Sequence, residues 1–143
     1  MTNLNKDALE IVKSMFSAET LEQGFEIVAD DVVVYDWTMR AEVHGKEELM
    51  EKILRPSDIA FADGEFDIKA MFAGDNGMVV LDAIFKARFV ADYKGIAAHG
   101  KNVAWKMRDM FAVENGKVTH MWYASDTLEM AKSLGAVDDA LLT

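Results

Sequence analysis

The chain has 143 residues, enough for one domain and too few for two comfortable ones, so residues 1–143 are read as a single domain. A formal net charge of −10 argues against nucleic acid or an anionic membrane as a partner, because both are bound through basic patches. The absence of cysteine excludes disulfides, thiolate metal sites and cysteine nucleophiles. The opening "MTNLNKDALEIVKSMF" has no continuous apolar stretch and no later run approaches a membrane span, so a cytoplasmic protein is expected.

In chain order, Leu9, Val12, Met15 and Phe16 recur at helical spacing and predict a first helix over roughly residues 4–17. Thr20 is placed to cap a second helix running through Leu21, Phe25, Ile27 and Val28. "DVVVYDWTM" reads as a strand, rich in β-branched and aromatic residues. "HGKEELMEKIL" reads as a third helix that ends before Pro56, the only proline. From residue 65 the pattern turns to β. "EFDIKAMFA" alternates, "GDNG" is a turn, and "MVVLDAIFKARFVAD" is a long strand. "YKGIAAHG" reads as a loop, followed by "KNVAWKMRDMFAV", the turn "ENGK" and the strand "VTHMWYASD". "TLEMAKSLG" closes the chain as a short helix with Gly135 as its stop. Helices first and a meander of strands afterwards predict an α+β domain, with helices on one face of a curved antiparallel sheet.

The dipeptide Asn115-Gly116 between two apolar runs is the strongest short-range hairpin signal. A two-residue loop there pairs Glu114 with Lys117 and, carried onward, sets Phe111 opposite His120, Asp109 opposite Trp122 and Trp105 opposite Asp126. One face then holds Trp105, Met107, Asp109, Phe111, His120, Trp122 and Asp126. The other holds Lys106, Arg108, Met110, Met121 and Tyr123. The first is an apolar wall carrying three titratable groups, and burying such groups without partners is costly. A structural His120–Asp109 pair and a helix cap at Asp126 explain them singly; a pocket lining explains all three together. Leu81, Ala83, Phe85, Ala87 and Phe89 extend that wall on the neighbouring strand, while Asp82, Lys86 and Arg88 turn away. Tyr35 and Trp37 share a face and close another side, or serve as ordinary core aromatics.

The ordered pieces "AFADGEFDI", "GDNGMVV", "GIAAHGKNV", "NGKVTHMWYASD" and "SLGA", preceded by "YDW" and "HGKEEL", resemble the SnoaL-like polyketide cyclases of the nuclear-transport-factor-2-like superfamily. The likeness spans roughly residues 8–136. It implies a cone-shaped α+β barrel around an apolar pocket, commonly in a homodimer, with cofactor-free acid–base chemistry as the usual theme. The family's acid/base aspartate, in its "W...D" motif, falls on Asp126. Two departures stand out: Phe89 occupies the place where many cyclases carry a histidine, and no pocket-facing arginine matches the limonene-type epoxide hydrolases. The expected site is therefore Asp126 as general acid/base, with His120, oriented by Asp109, polarising a carbonyl or relaying a proton. Tyr35, Trp37, Phe85, Phe89, Trp105, Met107, Phe111 and Trp122 are expected to line the pocket for a hydrophobic small molecule. No cofactor is expected, and His44, His99 and His120 do not have a metal-binding spacing. The rival expectation is a ligand-binding or dimeric assembly module of the same fold.

Overall fold

The computed structural model describes residues 4–137. Helix α1 (Leu4–Phe16) and the short α2 (Leu21–Phe25) lead into β1 (Val28–Asp36) and β2 (Ala41–His44). A helical segment follows in three registers: α3 (Lys46–Leu49), a π-helical stretch (Met50–Leu54) and α4 (Arg55–Ala60). The strands β3 (Phe61–Ala73), β4 (Met78–Phe89), β5 (Asn102–Glu114) and β6 (Lys117–Tyr123) complete the sheet, and α5 (Thr127–Ser133) ends the described fold. As expected, Thr20 caps α2, its hydroxyl accepting from the Gln23 amide. Among the described residues, no helix is long and apolar enough to cross a membrane.

The third helix does not stop before Pro56 but continues through it to Ala60. Proline removes the N–H that would bond four residues back and crowds that carbonyl. The preceding turn is π-helical, a register that widens the ladder just where the proline ring must fit.

The six strands form one curved sheet in the order β2-β1-β6-β5-β4-β3, not closed into a barrel. It is mixed rather than wholly antiparallel, because β1 runs parallel to β6. Burial along β5 alternates from Val103 through Trp105, Met107, Asp109 and Phe111, the mark of a strand with one face covered. The matching face of β4 carries Val79, Leu81, Ala83 and Phe89, and Ala8 and Val12 of α1 pack into the same core. The opposite face is polar at its middle, where Arg108 Nε donates to Asp82 Oδ1 at 3.1 Å. Gly77, at φ +73, enters β4 so close to β5 that a Cβ would stand 2.5 Å from the Val113 carbonyl oxygen. Only glycine fits there.

The hairpin at Asn115-Gly116 has both residues at positive φ, as a type I′ turn requires, and pairs Glu114 with Lys117 and Val113 with Val118. The expected register ends there. A β-bulge follows, so Ala112 faces His120, Phe111 faces Met121 and Met110 faces Trp122. Thr119 is the extra residue, its hydroxyl donating to the Ala112 carbonyl at 3.4 Å. One inserted residue transfers every later side chain to the other face. His120 and Trp122 therefore leave the wall on which they were placed, and Met121 and Tyr123 enter it.

Candidate active site

Between the covered face of the sheet and the helices lies a cavity of about 650 Å³. Of the residues expected to line it, Phe85, Trp105, Met107, Asp109 and Phe111 do so. Its aromatic wall is continuous: the Trp105 ring stands 5.4 Å from Phe61 and 5.1 Å from Phe85, and Phe61 stands 5.1 Å from Tyr93, all at steep or tilted angles. The exposed residues Glu19, Asp58 and Glu65 stand at its rim, where the start of α2, α4 and β3 converge.

The remaining expectations need correction. His120 and Trp122 lie on the outer face because of the bulge, stacked on each other at 5.9 Å, and Trp122 stacks in turn on Tyr35 at 5.8 Å. Tyr35 is on the outer face, stacked on Trp122, and Trp37, in the turn just past the end of β1, is 60 % exposed; neither lines the cavity. Phe89 is fully buried in a neighbouring cluster with Phe61 and Tyr93 and does not reach the cavity. Asp126 is exposed and acts as the N-cap of α5, its Oδ1 accepting from the Glu129 amide at 3.1 Å. That is the cap alternative raised by its place before Thr127 and Leu128. His99 of the loop between β4 and β5 is also committed elsewhere, lying 2.9 Å from the Ser133 carbonyl at the end of α5.

Two buried carboxyl groups are drawn into the cavity lining. Asp109, in the middle of β5, is 4 % exposed. Its Oδ1 accepts from the Ala124 amide at 3.0 Å, and among the described residues no donor meets Oδ2. Burial pushes its carboxyl up to about 7; the Ala124 amide opposes this and the negative charge of Asp36 adds to it. Asp36, the last residue of β1, is 6 % exposed and accepts from the Met39 amide at 3.1 Å. Its carboxyl is also raised by burial, against the backbone amides of Met39 and Thr38 and the charge of Lys94. Tyr123, opposite Asp36 in the parallel register, is held above the ordinary phenol range by burial and by both carboxylates. Tyr93 is pushed up to about 12, first by burial and then by Asp36. Each phenol has a methionine sulfur as its hydrogen-bond partner, Met121 at 3.4 Å for Tyr123 and Met39 at 3.8 Å for Tyr93. Sulfur is a weak acceptor, so both hydroxyls can turn to a stronger one.

Asp36 and Tyr123 were missed by reading the sequence, and both had a signal. Val32, Val34 and Asp36 are two apart, and Val32 and Val34 are fully buried, so Asp36 shares the inward face. In "VTHM" the inward residues Val118 and Met121 are three apart with two polar residues between them. That spacing breaks a period of two and marks the bulge.

A curved α+β sheet wrapped on helices over a cavity is the nuclear-transport-factor-2-like fold. A protein of that description from Burkholderia pseudomallei aligns with a TM-score of 0.74 at 17% identity, over 90% of this chain and 97% of that one. The model of the SnoaL-like polyketide cyclase family matches residues 6–134, and the chain belongs to that family. A candidate SnoaL-like polyketide cyclase from a Jannaschia species superposes with a TM-score of 0.83 at 16% identity, over 96% of this chain and 98% of that one. A candidate hydroxylase from Streptomyces galilaeus gives a TM-score of 0.80 at 21% identity, over 94% of this chain and 88% of that one. At such identities the likeness is one of fold. Among curated proteins none matches the sequence.

Proposed function

We propose that the protein is a small enzyme performing cofactor-independent general acid–base chemistry, of the cyclase or isomerase type, on a hydrophobic carbonyl compound held in the cavity. The observation that carries this reading is Asp109. A buried carboxyl that lines a cavity, with proton affinity raised to about 7, can both give and take a proton near neutral pH. In this scheme the ionised Asp109 removes a proton next to the carbonyl and returns it to another atom of the same substrate. Tyr123 or Tyr93, whose sulfur partners hold them only weakly, donates to the oxygen on which negative charge develops. The aromatic wall of Phe61, Phe85 and Trp105 holds the substrate's ring faces.

Asp126 gives a specific reason to weigh a non-catalytic binding module beside this reading, since the residue at the family's acid/base position is engaged in a helix cap. One experiment separates the two. Exchange of the α-protons of 2-tetralone into deuterated buffer, followed by NMR at pH 7, needs no knowledge of the natural substrate. The enzyme reading expects acceleration by the wild type, a loss of about 10²–10⁴-fold in Asp109→Asn, and no loss in Asp126→Asn. Acceleration that survives Asp109→Asn overturns the assignment of Asp109, and no acceleration by any form favours the binding module.

A further inference from the structure

The cavity has a one-sided charge that the acid–base scheme does not use. Its lining includes five carboxylate residues, Asp36 and Asp109 within and Glu19, Asp58 and Glu65 at the rim. No lysine, arginine or histidine lines it among the described residues. A cation whose charge acts on Asp36 is Lys94, which is exposed and sits with its Nζ 5.9 Å from the Tyr93 ring centre, outside the lining. We propose that the molecule bound here carries a positive nitrogen, a protonated or quaternary amine attached to its hydrophobic body, seated between Asp36 and the aromatic wall. The inference rests on the reading that this cavity is the substrate site, and names the class of substrate.

Three independent features converge on a cation. Asp109 is almost wholly buried and lines the cavity, yet among the described residues no donor meets its Oδ2. Asp36 and Asp109 line the same cavity, and the negative charge of Asp36 opposes the ionisation of Asp109. A cation between them would relieve that repulsion, whereas an anionic group would add to it. The wall offers rings and no cationic donor: the Phe61, Phe85 and Trp105 ring centres stand 5.1–5.8 Å apart with steep or tilted planes, so a cation in front of them can lie over more than one ring. A ring attracts a cation within about 6 Å of its centre, and more strongly when water is excluded. A carboxylate or phosphate ligand would find no positively charged partner among the described residues of this lining. The acidic rim also concentrates cations at the mouth and repels anions.

Three probes of one shape and three charges test this: benzyltrimethylammonium, its hydrocarbon isostere neopentylbenzene, and phenylmethanesulfonate. Binding is read by the fluorescence of Trp105, which is 5 % exposed on the cavity wall, with Trp37 and Trp122, outside the lining, replaced by Phe. The ammonium is expected to bind at least about tenfold more tightly than the hydrocarbon, with no saturable binding of the sulfonate. Asp36→Asn, which keeps an acceptor for the Met39 amide, is expected to bring the ammonium to the hydrocarbon's affinity and leave the hydrocarbon unchanged. Equal binding of ammonium and hydrocarbon overturns the cation preference but leaves the cavity as a substrate site. Sulfonate binding tighter than the ammonium overturns it as well. If none of the three perturbs Trp105, the cation proposal and the site reading fall together, and unchanged 2-tetralone exchange would then locate the chemistry elsewhere.

Discussion

Asp109→Asn is the substitution on which the electrostatic argument can be checked without any substrate. In the fold the Asp109 carboxyl titrates at about 7, against an ordinary value of 3.8, chiefly because burial disfavours its charge. Between those two values the folded chain binds more protons at this site than the unfolded chain. Stability at this site is therefore fully present below pH 3.8 and is lost as pH rises through 7. At roughly 1.4 kcal/mol for each pH unit of displacement, the whole loss is about 4 kcal/mol. Of this, about 2–3 kcal/mol falls between pH 5 and pH 8, by the same linkage. Asparagine keeps the oxygen that accepts from Ala124 and removes the titration. Urea unfolding of wild type and variant at pH 5 and pH 8 isolates the effect, because groups common to both cancel in the difference. The variant is expected to gain about 2–3 kcal/mol on wild type between the two pH values. The negative charge of Asp36 contributes to the rise at Asp109, so protonation of Asp36 is expected to broaden the transition. A stability difference that does not change with pH would refute the claim that Asp109 is held protonated by its surroundings.

Asp126 is expected to behave as a cap and nothing more. Asp126→Ala should cost about 1 kcal/mol of stability and Asp126→Asn almost none, since Asn and Asp are comparable at an N-cap; a thermal melt checks both, and loss of 2-tetralone exchange in Asp126→Asn would contradict the geometry. A homodimer through the outer face of the sheet is also expected, on a row that crosses five strands from Phe72 through Val80, Met110 and Trp122 to Tyr35. Phe72 in that row is 55 % exposed. Light scattering should give twice the chain mass, with Met110→Glu shifting it to the monomer. A monomeric wild type at micromolar concentration would refute the interface.

Much of the fold was legible because local chemistry and tertiary structure agree. The Asn115-Gly116 turn, the Thr20 cap and the strict alternation of β5 each have one good solution, and the chain adopts it. The helix ending before Pro56 was misjudged because proline was treated as a stop. The π-helical turn at Met50–Leu54 lets the helix pass. Loss of an N–H is a local cost, and a change of register upstream is enough to accommodate it.

The site was legible only up to Val118. On β5 the inward set Trp105, Met107, Asp109 and Phe111 follows from period two alone, and it is the set that lines the cavity. On β6 the same rule fails at Thr119, and the failure is not gradual. One extra residue exchanges His120 and Trp122 for Met121 and Tyr123 on the inner face, so a wall read as carrying a histidine carries a phenol instead. Composition could not resolve this, because both alternate sets on β6 contain one large aromatic. The burial of the two valines before Asp36 could have resolved the partner strand. With Asp36 inward, the parallel register places Tyr123 beside it and draws both carboxyls to one cavity. The chemistry of the site thus depends less on which residues "VTHMWYASD" contains than on a bulge that decides which of them face the cavity. Asp109, whose position precedes the turn and owes nothing to the bulge, is the acid that either register places inside.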